Sequence, residues 1–320
     1  MSVASIPDSR LAVPFVAPHV HRTPLLRSAQ LSEATGLDVR LKAELFQRTG
    51  SYKIRGPLYK LQQLTPEERA RGVVCSSAGN HAQGVALAAA TMGIRAVVVM
   101  AENATPSKVS ATRAYGGEVV QHGSIWDDAD RKARELVESE GLTYVHPFDD
   151  LDLIVGQGTL GLELVEDWPE VELIVVPVGG GGLISGVSTA VKRADPSIRV
   201  VGVESSGGPA MKESVEQGRL VTLDHVETIV DGLRVKRVGE RTFELVQQFV
   251  DEIVTVPDEA IFANVLWLME RCKLVAEGAA AATVAALREG AIAAPSGTKV
   301  ACVLSGGNLD LSQLEGLRWN

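Results

Sequence analysis

Lys53 lies in the run Ser51-Tyr52-Lys53-Ile54-Arg55-Gly56, between an aromatic and an aliphatic side chain and close to a glycine. An amine kept partly out of water loses proton affinity, and its neutral form can condense with an aldehyde or remove a proton. Most lysines are solvated and inert, so this run alone is a weak signal. Far downstream, Gly179-Gly180-Gly181-Gly182 follows the apolar run Leu173 to Val178 and precedes Leu183-Ile184-Ser185-Gly186, which reads as a helix start. Glycines let successive backbone N–H groups turn toward one point, and a helix N-terminus adds positive potential, so the run reads as an anion cradle rather than a flexible turn. It is not a P-loop, because no Gly-Lys-Ser/Thr follows.

Two further polar turns close apolar runs. Ser76-Ser77-Ala78-Gly79-Asn80-His81 follows Val73-Val74-Cys75 and opens a helix expected over 82–90. Free N–H groups and polar side chains at Ser77, Ala78, Asn80 and His81 could bind a carboxylate, and Asn80 could also meet a ring oxygen. An ordinary capping turn is the alternative, and the His81 ring taken alone is better explained as structural. Ser305-Gly306-Gly307-Asn308 follows Val300 to Leu304, and the Ser305 hydroxyl could hydrogen-bond a pyridine nitrogen. An aldehyde-seeking lysine and a phosphate cradle in one chain point to a single cofactor carrying both groups, pyridoxal 5′-phosphate. A neutral partner for its ring nitrogen would weaken the ring as an electron sink and favour loss of a β-substituent over transamination.

The elements that must position these residues alternate. Short apolar runs at Val73-Val74-Cys75, Ala96 to Met100, Leu173 to Val178, Val200 to Val203 and Val300 to Leu304 read as buried strands, each followed by a turn and most by a helical pattern. That is an α/β fold with a mainly parallel sheet, which puts ligands at the carboxyl ends of its strands. Thr105-Pro106 reads as an N-cap and first helical residue, and Pro57 as the start of a helix just after Lys53. No internal repeat and no low-complexity linker divides the chain, so two lobes would be intertwined rather than joined end to end.

At 320 residues the chain can bury a large core, and its 45% apolar and 22% charged content is that of a globular protein. A net charge of −9 without a long basic run disfavours nucleic-acid partners. The first residues lack the apolar core of a signal peptide, and no segment approaches a transmembrane span, so a cytoplasmic protein without a membrane partner is expected. Three scattered cysteines, Cys75, Cys272 and Cys302, suggest reduced thiols rather than a disulfide framework. His19 and His21 flank Val20 and read as a surface arm in preference to a metal pair.

The ordered set SYKIRG, SSAGNHAQG, VGGGG, GVE, EGA and LSGGN resembles the fold-type II pyridoxal-phosphate enzymes, in particular the threonine dehydratase and serine racemase family. The likeness runs from Arg22-Thr23-Pro24-Leu25 to Leu311. It implies two open, twisted, mainly parallel-sheet lobes: a large one from residues 1–70 and 150–320, and a smaller one inserted at 71–149. It implies that Lys53 bonds to the cofactor and is the catalytic base, that Gly179, Gly180, Gly181 and Gly182 hold its phosphate, that Asn80 meets the ring hydroxyl, and that Ser305 meets the ring nitrogen. Ser77 and its loop would hold the substrate carboxylate. The implied reaction is loss of water from L-threonine, and more slowly L-serine, giving a 2-oxo acid and ammonia. Serine racemase or 3-hydroxyaspartate dehydratase on the same fold is the alternative. A non-catalytic phosphate-ligand sensor is the alternative outside the class, which the intact Lys53 argues against. A homodimer or homotetramer is usual for the family, and no C-terminal regulatory domain, hence no isoleucine inhibition, is expected.

Four departures from the family pattern carry information. Tyr52 and Pro57 replace the commoner phenylalanine and alanine, and both are physically tolerable. Ala78 stands where the racemase branch has a proton-exchanging serine. Metal-activated members place a second carboxylate six residues after the acid of the GVE-like segment, whereas Glu204 is followed there by Ala210. Glu204 is therefore expected to hold at most a loose cation, with Glu277 and Asp231 acting at a distance.

Overall fold

The computed structural model describes residues 6–315. Within them ten strands form two sheets. The strands are β1 (Leu25–Arg27), β2 (Asp38–Ala43), β3 (Val73–Ser76), β4 (Ala96–Met100), β5 (Glu118–Gln121), β6 (Thr143–Tyr144), β7 (Leu173–Pro177), β8 (Arg199–Ser205), β9 (Glu252–Val256) and β10 (Lys299–Leu304). The larger sheet runs β1-β2-β10-β7-β8-β9 and the smaller β5-β4-β3-β6. All neighbours pair in parallel except β1 with β2. Seven helices matter for the site: α1 (Arg55–Gln62), α2 (Asn80–Thr91), α3 (Leu151–Gln157), α4 (Gly182–Ala194), α5 (Ala210–Gln217), α6 (Glu240–Phe249) and α7 (Gly278–Arg288).

The central strands are apolar along their length because helices cover both faces. Successive residues of β7 go to opposite cores: Leu173 and Val175 pack with α7, while Ile174 and Val176 pack with α4. The alanine-rich α7 is buried from Gly278 to Leu287, and its small side chains allow it to lie close against the sheet. The smaller sheet's core takes Ile54, Leu58 and Leu61 from before it and Leu153 and Val155 from after it. The chain thus crosses between the two sheets on either side of residues 73–144.

The five strands expected from apolar runs are present. Those without such a run, β1, β2, β5, β6 and β9, are short, alternating or at sheet edges, where polar residues are tolerated. Local starts shift slightly. The helix expected from Ala82 begins at Asn80, and α1 begins at Arg55, so Pro57 is its third residue, where the missing N–H still costs nothing. Thr105 and Pro106 occupy the N-cap and first helical position, but the Thr105 side chain makes no capping bond.

Lys53 sits in a single turn, Tyr52–Ile54, tied to the larger sheet. Tyr52 N donates to Ser305 O at 3.0 Å, and Ser51 bridges Gly306. From the other side α2 presses on the same turn through Gly84, where a Cβ would lie 2.4 Å from Lys53 O and 2.7 Å from its carbonyl carbon. Both of those atoms are backbone and cannot swing away. Gly84→Ala should therefore lower stability by about 1–3 kcal/mol, despite alanine's better helix propensity. Urea unfolding measures this, and an unchanged midpoint would show that the helix can retreat freely.

Candidate active site

The amine of Lys53 is withdrawn from solvent, and Nζ donates to Pro147 O, just after the smaller sheet's β6, at 2.9 Å. Loss of solvent pushes its pKa down to about 8, while the nearby Glu277 carboxylate opposes the shift. At pH 7 roughly one amine in ten is then neutral, against roughly one in three thousand for an ordinary lysine. The ring of Tyr52 lies 5.4 Å from Nζ and forms one wall.

Gly179 to Gly182 connect β7 to α4, a buried helix of 13 residues with Gly181 at its N-cap. Gly181 has φ +93°, which favours glycine. The other three glycines answer to close packing. A Cβ on Gly179 would lie 2.4 Å from Gly232 O, one on Gly180 would lie 2.3 Å from the Phe148 ring, and one on Gly182 would lie 2.9 Å from Phe148 Cα and O. Among the described residues, no acceptor takes the amides of Gly180, Gly181 and Gly182. Unpaired N–H groups at a helix N-terminus form the donor set an anion needs.

A second helix N-terminus belongs to α2, which packs on the Lys53 turn through Gly84. α2 starts at Asn80, and Gly79 N turns back to Ser77 Oγ at 3.2 Å. The amides of Ala78, Asn80 and His81 have no acceptor among the described residues. Asn80 is held by side chains from the other sheet: its Nδ2 lies 2.9 Å from both Glu277 oxygens, and its Oδ1 accepts from Asn308 Nδ2 at 2.7 Å. Burial raises the Glu277 pKa, which the bond from Asn80 opposes. Ser305 is buried at the end of β10, and its hydroxyl bonds to no described residue.

Two of the candidate residues take structural bonds, and for the His81 ring that is the expected part. The His81 ring turns inward, with Nε2 bonded to Val145 O at 3.0 Å, and burial holds its pKa down to about 3. Only the backbone N–H of His81 is left to meet a carboxylate. Glu204 is buried, and its two oxygens accept from Met211 N and Lys212 N, each at 2.8 Å, capping α5. Desolvation pushes its pKa up to about 8 against those two donors. Both of its oxygens thus serve as the cap of α5, and among the described residues no three His, Cys, Asp or Glu gather as a metal set.

Several contributors went unnoticed in the sequence. Pro147 and Phe148 touch Lys53 and the glycine run through a loop with no motif, and Asp149 caps α6 through the amides of Glu240, Arg241 and Thr242. The only forewarning was an aromatic flanked by Pro147 and two aspartates just before a helix.

Residues 16–306 match the profile of the pyridoxal-phosphate dependent enzymes. The chain belongs to that family. Its members use the cofactor whose aldehyde and phosphate the lysine and glycine run suit. The chain is similar to the L-threonine ammonia-lyase of Thermotoga maritima, 50% identical over 296 residues that cover 92% of this chain and 73% of that one. It is also similar to the catabolic L-threonine dehydratase of Escherichia coli, 44% identical over 300 residues that cover 93% and 91%. Among solved structures, maize serine racemase superimposes with a TM-score of 0.92 at 37% identity, covering 96% of this chain and 94% of that one. The processed form of threonine deaminase isoform 2 from Solanum lycopersicum superimposes with a TM-score of 0.89 at 35% identity, covering 97% and 88%.

The depressed Lys53 pKa has a measurable consequence. The amine is charged and unreactive below its pKa and neutral above it. The rate at which apoenzyme takes up pyridoxal phosphate should therefore climb with pH through a midpoint near 8 and level off about one unit above it. Stopped-flow absorbance of the bound cofactor reads this, and a rise continuing to pH 10 would mean the amine is solvated.

Proposed function

We propose that this enzyme eliminates water from L-threonine, and more slowly from L-serine, releasing ammonia and 2-oxobutanoate or pyruvate. The observation that carries the reading is a partly neutral lysine bonded to Pro147, whose neighbour Phe148 packs on the glycine run, with α2 and its unpaired N-terminal amides pressed on the lysine's own turn. One anion cradle suits the cofactor phosphate and the other the substrate carboxylate. The names of relatives at 44–50% identity support the choice of substrate.

In this reading the amides of Gly180, Gly181 and Gly182 and the N-terminus of α4 hold the phosphate, and Lys53 anchors the aldehyde carbon. Pyridoxal phosphate, when bound, supplies an electron sink that stabilises negative charge at the substrate's Cα. The Ser305 hydroxyl meets the ring nitrogen as a neutral partner. Equal distances from Asn80 Nδ2 to the two Glu277 oxygens suit one N–H shared between them, which leaves the other for the ring oxygen. Ser77 and the free amides at the start of α2 grip the substrate carboxylate and so fix which bond at Cα is broken. With the amino acid bound, Lys53 would take the Cα proton, and the β-hydroxyl would take up a proton and depart as water, which balances the one removed from Cα. The enamine left behind would take a proton at its β-carbon, water would then replace nitrogen at Cα, and ammonia would leave.

Ala78 decides against racemisation. Reprotonation from the second face of Cα needs a positioned acid, typically worth roughly 10²–10⁴-fold, and a methyl group offers none. A cytoplasmic location, which three unpaired cysteines support, and the homodimer or homotetramer usual for the family complete the proposal.

Lys53→Ala should abolish turnover and the visible absorbance of the bound cofactor while retaining the native circular dichroism. Substantial ammonia release by that variant would remove Lys53 from the chemistry. A panel of L-threonine, L-serine and 3-hydroxyaspartate, followed by 2-oxo acid formation, ranks the substrates, and activity confined to 3-hydroxyaspartate would overturn the threonine assignment.

Chiral analysis of L-serine reactions should show far more pyruvate than D-serine from the native enzyme, with Ala78→Ser shifting the ratio toward D-serine. Comparable amounts of the two products from the native enzyme would count against the dehydratase reading.

A further inference from the structure

The glycine run is gripped from behind by α6. Thr242 Oγ1 donates to Gly180 O at 2.7 Å and lies 3.1 Å from Gly239 O, while Gly239 N approaches Gly180 O at 3.4 Å. Thr242 is fully buried, and a Cβ on Gly181 would sit 2.8 Å from Thr242 Cβ. The helix bearing this hydroxyl is itself pinned, because Asp149 accepts from the amides of Glu240, Arg241 and Thr242 at 3.2, 2.9 and 3.2 Å.

A trans peptide is planar, and its C=O and the next N–H point in opposite directions. Holding the Gly180 carbonyl on the Thr242 side therefore aims the Gly181 N–H the opposite way. A Gly-Gly peptide lacks the side chains that would otherwise restrict its rotation. Something outside the run has to choose its orientation, and Thr242 is the strongest donor in contact with it.

We propose that Thr242 is a positioning residue for phosphate recognition, its hydroxyl locking the Gly180–Gly181 peptide so that the Gly181 N–H faces the cofactor phosphate. This rests on the reading that the tetraglycine run holds that phosphate. The lock acts on one part of the cofactor only, and that makes it separable from general damage to the fold.

The test compares apoenzymes of the native protein, Thr242→Val and Thr242→Ser, each titrated with pyridoxal 5′-phosphate and with pyridoxal, which has the same ring and aldehyde but no phosphate. Thr242→Val nearly conserves volume and removes the donor. It should weaken pyridoxal phosphate binding about two- to tenfold, the usual worth of one hydrogen bond, because Gly239 N still meets Gly180 O, and leave pyridoxal binding unchanged. Thr242→Ser keeps the hydroxyl and should retain native affinity for both. Equal losses for the two ligands in Thr242→Val, no loss for either, or a loss in Thr242→Ser matching that in Thr242→Val would each overturn the proposal. If the native protein bound pyridoxal as tightly as pyridoxal phosphate, the phosphate cradle itself would fall, a result distinct from any of these.

Discussion

An amine has to be neutral often enough to react and still be fixed in space, and here both conditions meet at the contact of Lys53 Nζ with Pro147 O. Desolvation supplies the first condition by disfavouring the charged form. The second comes from a stretch of three residues with several duties. Pro147 accepts from Lys53, Phe148 packs on Gly180 and Gly182, and Asp149 caps α6, which in turn grips Gly180 through Thr242. A displacement of this stretch would disturb the lysine and the anion cradle together.

Behind the lysine lies a buried ion network that fixes where α1 begins. Arg55, two residues after Lys53 and fully buried, bonds both oxygens of Glu44 at 2.8 Å and both oxygens of Glu163 at 2.7 and 3.0 Å. The buried Lys42 adds a contact of 2.7 Å to Glu163. Such pairs contribute little net stability because desolvation offsets the attraction, but removing one partner strands the other at a cost of several kcal/mol. Their use here is geometric: β2, α1 and the helix carrying Glu163 are held in one relation, and the Lys53 turn is held with them. The Glu277–Asn80–Asn308 chain does the same between the two sheets. It links the start of α2 on the smaller sheet to the end of β10 and the start of α7 on the larger.

Much of the site was legible from sequence because its parts are local. Lys53, the tetraglycine run, Ser77 to His81 and Ser305 to Asn308 each lie on a glycine-marked turn, three of them directly after a buried apolar strand, and parallel sheets bring such turns to one edge. Glu204 was legible as a residue type but not as a role. A strand-end acid looks available, yet both of its oxygens were drawn into a helix cap. The His81 ring, legible as structural, bonds Val145 O through Nε2 while its Nδ1 is buried without a partner.

The sequence by itself determined the class of fold and marked a candidate lysine and a candidate anion cradle, since each depends on apolar runs, glycine spacing and turn chemistry within a few residues. Tertiary structure alone decided the orientation of the Gly180–Gly181 peptide, the engagement of Asn80 by Glu277, the depression of the Lys53 pKa and the conversion of Glu204 into a cap. These depend on groups far apart in the chain: Thr242 and Gly180 are separated by 62 residues, and Asn80 and Glu277 by 197. Hydrogen bonds and desolvation act over a few ångströms of space, and no periodicity in the chain records which distant groups folding will bring within that range.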